Sequence, residues 1–375
     1  MSEAPLSARR FALGPGPPTY FGPGELARLP SCLQAVGMSR ALVVTDPDLV
    51  AAGVADRASE VLSGSGLEHR VHAEVRLNPG RVEIAAGAAV LRDFGPAAVV
   101  GLGGGTALDA AKAIALAAAN PSDGFSEPAH RPGLPVIAIP TTAGSGSETN
   151  GFAVLEEPET HRKFYVGHPS VSPRAVILDP ALTVDLPAGP TAACGIDALT
   201  HAVESMSSVR VNPYAHGLGL EVVGVVARWL GRAVACPDDL EARSQMLLAA
   251  HMAGLAFATT GLGLCHAIGH ALSARLGTVH GVALAVVLPP VLEFNRPVRG
   301  QIDAAVAGAF RTDTAAEGVG QLIRELRLPQ NLAAIGCPPE MVPELCRRAL
   351  ADEVIANTPR LPAPAELAEL LLAAM

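Results

Sequence analysis

The chain has 375 residues and a net charge of −9; 49% of its residues are hydrophobic and 17% are charged. This composition excludes a disordered chain, and the length is sufficient for two domains with sizeable cores. The acidic balance argues against nucleic acid as a partner, because no basic stretch with interleaved aromatic residues is present. We therefore expect a globular protein that does not have nucleic acid as its main partner.

The cysteines and the apolar runs allow a prediction of the cellular location. Six cysteines are spread along the chain without a CxxC pair, which is typical of reduced thiols in the cytoplasm. The N-terminal stretch has no apolar core of the signal-peptide type. Every long apolar run contains a charge or a Pro or Gly break, so no membrane span is expected. The sequence therefore predicts a cytoplasmic protein without a membrane segment.

Short apolar runs alternate with helical patterns in the first half. The runs at residues 41–46, 70–75, 97–105 and 134–142 are predicted strands. A hairpin insert over residues 152–178 returns to a final strand. Strand–helix alternation of this kind indicates a mostly parallel, doubly wound sheet of the Rossmann-like type.

The pattern changes after about residue 183. Long segments rich in Ala and Leu have helical periodicity, without a convincing strand. A Pro-rich link precedes them. The sequence therefore predicts an α/β domain over residues 1–183 and an all-helical domain over residues 184–375.

A glycine turn follows the third predicted strand. Gly103, Gly104 and Gly105 come before Thr106 at the start of a predicted helix. Glycines let the backbone approach a phosphate, and a helix N-terminus supplies unpaired N–H donors. The turn is neither a GxGxxG fingerprint nor a Walker A loop, so a plain tight turn remains the alternative.

A second loop, TTAGSGSE, follows the fourth predicted strand and contains Thr141, Thr142 and Ser145. Two such loops at one sheet edge would form the crevice in which α/β folds bind ligands. Hydroxyls and backbone amides suit a pyrophosphate and a ribose. Ser145 and Glu148 also match a capping box, and both interpretations can hold together.

Asp46 ends the first predicted strand. A carboxylate at that position can accept hydrogen bonds from ribose hydroxyls and repel a 2′-phosphate, which would favour NAD over NADP. A simple turn aspartate before Pro47 is an equal alternative from position alone.

Four residues have metal-ligand spacing in the second half. Asp197 and His201 are four residues apart in GIDALTHAVES, so a helix would project both from one face. His266 and His280 follow, and Gly277 between them predicts a turn that brings the second imidazole back toward the first. Three imidazoles and one carboxylate suit a divalent ion that acts as a Lewis acid. Unrelated core or surface histidines are the alternative.

Two residues adjoin this set. His270 lies four residues after His266 and is either a fifth site residue or a partner that orients the ligands. Cys265 is expected to be a small core residue rather than a soft ligand.

Several motifs occur together and in order: LGGGTALDAAKAIA, PTTAGSGSE, GIDALTHAVES, the CHAIGHAL and GTVHGVA block, and LPPVLEFN. From about Phe21 to the C-terminus the chain resembles the iron-containing (group III) alcohol dehydrogenase family. The resemblance implies the dehydroquinate synthase-like fold of that family, with a metal and a nicotinamide in the cleft between two domains. It also implies a homodimer.

The resemblance assigns roles residue by residue. It makes Asp197, His201, His266 and His280 the ligands of Fe²⁺, with Zn²⁺ also compatible, and His270 a catalytic residue beside the nicotinamide and the substrate. The residues that it places at the NAD(H) site, with NADP less favoured, are Asp46, Asn78, Gly103, Gly104, Gly105, Asp109, Thr141, Thr142, Ser145 and Lys163.

Some positions depart from the family pattern. Asn150 stands where Thr or Val is more usual, and Thr259 and Thr260 replace a more usual Asn-Ala after Phe257. The resemblance implies that Asn150, Phe257 and Thr259 lie near the substrate. These departures therefore affect the prediction of which substrate is used, and not the prediction of the reaction type.

The sequence thus predicts a metal-dependent oxidoreductase that interconverts an alcohol and an aldehyde or ketone with NAD(H). One alternative is metal-free reduction of a keto acid of the maleylacetate reductase type, although such enzymes often have PHAE where this chain has VHGV. Another is a zinc enzyme resembling dehydroquinate synthase or glycerol-1-phosphate dehydrogenase. A third is a non-enzymatic sensor of metal and nucleotide.

Overall fold

The computed structural model describes residues 16–121, 131–160 and 162–375. Most of the N-terminal stretch for which no signal peptide is expected lies outside these ranges. The described strands are β1 (Thr19–Phe21), β2 (Arg40–Val44), β3 (Glu68–His72), β4 (Ala98–Gly103), β5 (Val136–Pro140), β6 (Phe152–Glu157), β7 (Arg162–Gly167) and β8 (Ala175–Leu178).

The helices cover the sheet and then form the second half of the chain. They are α1 (Leu29–Ala35), α2 (Pro47–Ala51), α3 (Val54–Gly64), α4 (Arg81–Phe94), α5 (Gly105–Ala119), α6 (Ala188–Ser207), α7 (Pro213–Ala235), α8 (Leu240–Thr260), α9 (Leu264–Leu276), α10 (His280–Asn295), α11 (Gly300–Phe310), α12 (Ala315–Glu325), α13 (Val342–Leu350) and α14 (Pro364–Ala373).

Six strands form one parallel sheet in the order β1-β8-β5-β4-β2-β3. Alternate residues of β2 point to opposite faces. Leu42 and Val44 join a core with residues of α4 and α5, whereas Ala41 and Val43 join a core with residues of α1 and α3. Because apolar helices cover both faces, the central strands are almost entirely apolar. The predicted doubly wound sheet is confirmed.

β1 was not among the predicted strands. It has only three residues between Pro- and Gly-rich segments, which is too short for a period-two pattern. It pairs in parallel with β8, with Thr19 opposite Val176. The helix predicted after β2 is also different, because Gly53 adopts a left-handed conformation (φ 73°) that separates α2 from α3.

Among the described residues, the last strand ends at Leu178 and the helical region begins at Ala188. The boundary predicted at residue 183 falls between them and stays a prediction. The antiparallel hairpin β6–β7 lies outside the main sheet, as expected for an insert. It contacts both α5 of the first half and α9 of the second.

In the described part of the chain, no single helix combines the length and apolar composition of a membrane span. One pair, Leu240–Thr260 with Leu264–Leu276, meets the length and composition criteria only when joined, and the pair is bent by 107°.

Candidate active site

Helices α6 and α9 and the start of α10 place the three predicted histidine ligands around one carboxylate oxygen of the fourth, Asp197. Asp197 and His201 lie one helical turn apart on α6, and His266 lies on α9. α9 ends at Gly277, which has a left-handed conformation (φ 64°), and His280 then begins α10. The Nε2 atoms of His201, His266 and His280 lie 3.3, 3.5 and 3.8 Å from Oδ1 of Asp197.

The facing atoms of this cluster lack hydrogen-bond partners among the described residues. Oδ1 of Asp197 and Nε2 of His266 are both buried and both unpartnered. Burying such atoms costs free energy unless another group satisfies them. Ligand atoms of Asp197, His201 and His266 all lie within 4.8 Å of one another. This donor set therefore fits a divalent metal ion.

Groups behind two of the three imidazoles, those of His266 and His201, orient them toward Asp197. Oε2 of Glu204 accepts a hydrogen bond from Nδ1 of His266 at 2.6 Å, and the carbonyl of Gly144 lies 3.2 Å from Nδ1 of His201. Glu204 also accepts two backbone N–H groups at the start of α9, at 2.9 and 2.6 Å. A proton held on Nδ1 leaves Nε2 free as a ligand atom.

Sequence reasoning missed Glu204. It lies seven residues after Asp197 on α6, which is about two helical turns and therefore the same helix face. That spacing was available in the sequence, but a glutamate on a helix is usually a solvated residue. The contact of Gly144 with His201 could not be predicted, because every residue has a backbone carbonyl and the residue type does not show which carbonyl will be used.

For most of the proposed ligands, the electrostatics of the cluster favour the protonation state that binds a metal, which is an ionised carboxylate or a neutral imidazole. Burial would raise the pKa of Asp197, but His201 and the other imidazoles hold that pKa well below its usual range. Burial lowers the pKa of His201 to about 4 and that of His280 well below its ordinary value. Burial would also lower the pKa of His266, but Asp197 and Glu204 raise it to about 9. If Nε2 of His266 is protonated, that proton would have to leave before a metal ion could bind there.

His270 lies beside the ligand group but has a different partner. Its ring centroid is 5.4 Å from that of His280 in a stacked arrangement and 5.9 Å from that of His266. Its Nδ1 lies 2.8 Å from Oδ2 of Asp352. Among the described histidines of this group, His270 is the one without an ion-pair contact to Asp197.

The predicted nucleotide loops meet at the carboxyl ends of the parallel strands. Asp46 caps α2 by accepting the N–H of Leu49 at 2.9 Å through Oδ1. A Cβ on Gly103 (φ 151°) would lie 3.5 Å from Oδ2 of Asp46 and only 2.7 Å from Cβ of Ala107. The structure thus places Asp46 directly at the glycine turn, and both predicted roles of Asp46 are compatible with this geometry.

The second loop packs against the first. A Cβ on Gly104 would approach Thr142 at 3.3 Å, and one on Gly105 would approach Ser145 at 2.7 Å. Thr141 is buried and donates its N–H to the carbonyl of Gly103 at 3.0 Å. Because a side chain at either glycine would crowd the second loop, glycine allows the two loops to pack closely at this strand-to-helix junction. The predicted contact of the two loops with a pyrophosphate stays a prediction.

Asp109 faces protein donors. It accepts hydrogen bonds from the hydroxyl of Ser147 and from the N–H of Val154 at 2.9 Å, and it pairs with the buried Lys112 at 2.9 Å. Lys112 in turn donates to Oδ1 of Asn150 at 3.2 Å. These contacts tie the second loop to the hairpin, which is a supporting role; the predicted contact of Asp109 with the cofactor stays a prediction.

Two further predicted residues, Phe257 and Lys163, lie near the cluster. The ring of Phe257, on α8, lies 4.5 Å from that of His201. Lys163, on β7, is half-buried; burial lowers its pKa, and carboxylates including those of Asp197 and Asp352 oppose that change. The hairpin therefore brings a positive charge toward the histidines.

The remaining predicted residues lie farther along these elements. Thr259 is half-buried near the end of α8 and donates its hydroxyl to the carbonyl of Ala256 at 2.8 Å. Asn78 has a left-handed backbone conformation (φ 55°), and the carbonyl of Pro79 accepts the N–H of Glu156 at 3.1 Å. Cys265 is buried in the helical core, as expected. The roles predicted for Thr259 and Asn78 stay predictions.

Two family models match the chain. The iron-containing alcohol dehydrogenase model matches residues 17–180, and the model of the C-terminal region of that family matches residues 191–375. The chain belongs to the iron-containing alcohol dehydrogenase family. It is therefore an oxidoreductase that interconverts alcohols and aldehydes.

Curated and solved members of the iron-containing alcohol dehydrogenases resemble the chain along most of its length. The probable alcohol dehydrogenase EutG of Escherichia coli is 36% identical over 353 residues, covering 92% of this chain and 89% of the relative. The NAD-dependent methanol dehydrogenase of Bacillus methanolicus is 30% identical over 371 residues, covering 95% and 97%. The crystal structure of a 1,3-propanediol oxidoreductase superposes with a TM-score of 0.94 at 32% identity, covering 98% and 100%.

Proposed function

We propose that the protein is a metal-dependent, NAD-linked alcohol dehydrogenase whose divalent ion is held by Asp197, His201, His266 and His280. The observation that carries this proposal is the convergence of three Nε2 atoms on one buried, unpartnered carboxylate oxygen. Three nitrogens and one oxygen suit Fe²⁺ or Zn²⁺, and membership of the iron-containing family favours Fe²⁺. The intact ligand set disfavours metal-free reduction of a keto acid.

An ion held by these residues would supply Lewis-acid stabilisation of negative charge on the substrate oxygen. A bound nicotinamide would supply the acceptor or donor of the hydride. The protein contributes position and a protected environment. Glu204 and the Gly144 carbonyl fix two imidazoles, and burial of the cluster excludes bulk water, which strengthens the electrostatic interactions within it.

His270 is the proposed proton carrier. It lies against His266 and His280, close to where the substrate oxygen would sit. During alcohol oxidation the hydroxyl proton passes toward Nε2 of His270, and it returns when an aldehyde is reduced. His270 is thus the proposed acceptor and donor of the proton, whereas a bound nicotinamide would be the acceptor and donor of the hydride.

The proposed substrates are small aliphatic alcohols and their aldehydes. The names of the methanol and 1,3-propanediol relatives support this size class, as does the Phe257 ring beside His201. The most direct test is an anaerobic screen of NADH oxidation with aldehydes and keto acids, after Fe²⁺ or Zn²⁺ has been restored. Turnover of keto acids alone would contradict the proposal.

We also propose that the protein is cytoplasmic and forms a homodimer. All six cysteines are free thiols, which agrees with a reducing cytoplasm. A homodimer is proposed from the family resemblance, and sedimentation of the purified protein tests it.

Chelation is expected to abolish turnover and to leave most NADH binding intact. The proposed ligands lie on α6, α9 and α10, whereas the nucleotide loops follow β2, β4 and β5. NADH fluorescence titration and steady-state rates, measured before and after removal of the ion, check this separation. Re-addition of Fe²⁺ or Zn²⁺ is the control and should restore the rate. Full activity in protein shown to be metal-free would overturn the metal mechanism.

Substitution Asp46→Gly is expected to shift cofactor preference from NADH toward NADPH by about fivefold or more, because it removes a charge that repels a 2′-phosphate. Glycine is chosen because it replaces a helix N-cap at a cost of only a few tenths of a kcal/mol. The measurement is the ratio of kcat/KM for the two cofactors. Asp48→Asn, which removes an exposed charge on α2, is the matched control. An unchanged ratio in Asp46→Gly would show that Asp46 does not contact the adenine ribose.

A further inference from the structure

A carboxylate from the far end of the chain contacts the proposed proton carrier. Oδ2 of Asp352 lies 2.8 Å from Nδ1 of His270. Asp352 follows α13 and begins a short 3₁₀ helix, Glu353–Asn357, 82 residues after the histidine. Its side chain is largely buried, with 15% exposure. No motif in the sequence connects these two residues.

Asp352 is held in place from its other oxygen. Oδ1 accepts the N–H of Val354 at 3.1 Å and caps the 3₁₀ helix. Both carboxylate oxygens are therefore engaged, one with the backbone and one with His270. A carboxylate fixed in this way presents a single acceptor in a defined direction.

The 3₁₀ helix is itself anchored beside the metal cluster. Asn357 donates through Nδ2 to the carbonyl of Leu262 at 3.0 Å, and its own carbonyl accepts the N–H of Val209 at 3.0 Å. A Cβ on Gly261 (φ 72°) would lie only 2.3 Å from Nδ2 of Asn357. The segment thus joins the end of α8 to the chain after α6, the helix that contains Asp197 and His201.

The contact decides which ring nitrogen of His270 has the proton. A carboxylate acceptor at Nδ1 requires Nδ1–H, and Nε2 then keeps its lone pair. The same logic applies to His266, whose Nδ1 faces Glu204 while its Nε2 faces Asp197. Two carboxylates therefore direct two imidazoles, one as a ligand and the other as a proton acceptor.

We propose that Asp352 is a positioning residue which holds His270 as the Nδ1–H tautomer, with Nε2 turned toward the reacting oxygen. This proposal rests on the proposed function of His270. In alcohol oxidation the carbinol C–H bond transfers its electron pair and hydrogen to the nicotinamide as hydride. The hydroxyl proton passes to Nε2, which becomes an imidazolium, and Asp352 stabilises the added charge without taking the proton. Aldehyde reduction is the reverse.

The kinetic test uses Asp352→Asn, Asp352→Glu and a His270→Gln background. Asp352→Asn is expected to lower kcat by about 10- to 100-fold, with KM and metal content within twofold of wild type. Asp352→Glu should recover part of the rate, because it restores the acceptor. Glu353→Gln, which neutralises the next, exposed carboxylate, is the matched control and should leave kcat unchanged. In the His270→Gln background Asp352→Asn should cause no further loss, whereas an independent, full loss there would overturn the proposal.

A second readout does not need turnover. In ¹⁵N-histidine-labelled, zinc-loaded protein, the His270 ring should give the Nδ1–H pattern, with assignment from His270→Gln. Asp352→Asn should change that pattern, and Glu353→Gln should not. An Nε2–H tautomer in the wild type would overturn the proposal. If no alcohol or aldehyde is turned over with either metal, the proposed function fails, but the tautomer still decides whether Asp352 directs His270.

Discussion

Protein purified with His266→Ala will lack its divalent ion and will lose at least about 10³-fold in alcohol turnover. The ion supplies several kcal/mol of charge stabilisation, and each 1.36 kcal/mol corresponds to about a tenfold change in rate. Among the proposed ligands, we expect loss of His266 to weaken metal binding the most, because its Nε2 faces Asp197 while its Nδ1 is hydrogen-bonded to Glu204. Alanine removes the ligand and leaves both buried carboxylates facing an empty space.

Metal analysis and steady-state rates check this result. His216→Ala is the control, since His216 is a half-buried histidine on α7 outside the cluster. That variant should retain a full complement of metal. A His266→Ala protein with wild-type metal content would show that the ion lies elsewhere, and the ligand assignment would then be wrong.

His270→Ala will keep its metal but lose about 10²–10⁴-fold in rate, which is the usual contribution of a positioned proton-transfer group. His270 lies against two ligand imidazoles, yet its Nδ1 is engaged by Asp352 and it makes no ion-pair contact with Asp197 within the described residues. The substitution therefore removes a proton acceptor and leaves the four donor atoms in place.

Elemental analysis separates this variant from His266→Ala. Added imidazole, which can diffuse into the space left by the side chain, should restore part of the rate in His270→Ala. If His270→Ala is as depleted of metal as His266→Ala, then His270 is itself a ligand, and one of the four assignments fails.

The sequence was informative wherever a structural feature depends only on residues that are close together in the chain. Buried parallel strands such as β4 appear as unbroken apolar runs, and the spacing of Asp197 and His201 correctly indicated two side chains one helical turn apart on the same helix. The turn predicted at Gly277 is also present, because a left-handed residue ends α9 there.

What could not be predicted depends on contacts between distant segments. Asp352 reaches His270 across 82 residues, and the loop after β5 reaches His201 through a backbone carbonyl. The contacts of Asp109 could not be predicted either: its oxygens meet Ser147, Val154 and Lys112, and its predicted contact with the cofactor stays a prediction. Residue type and spacing alone do not reveal which donors a carboxylate will meet.

The pairing of β1 with β8 has a consequence for how the protein is made. Thr19 lies opposite Val176, and Asp179, just after β8, accepts the N–H groups of Gly24 and Leu26 at 3.1 Å each. β1, the first of the described strands, therefore cannot join its sheet until nearly half of the chain has been synthesised. Such long-range pairing closes a large loop and is slow. Until β8 has been made, β1 and the edge of β5 that will pair with β8 lack strand partners, and unpaired strand edges of this kind favour aggregation of a nascent chain.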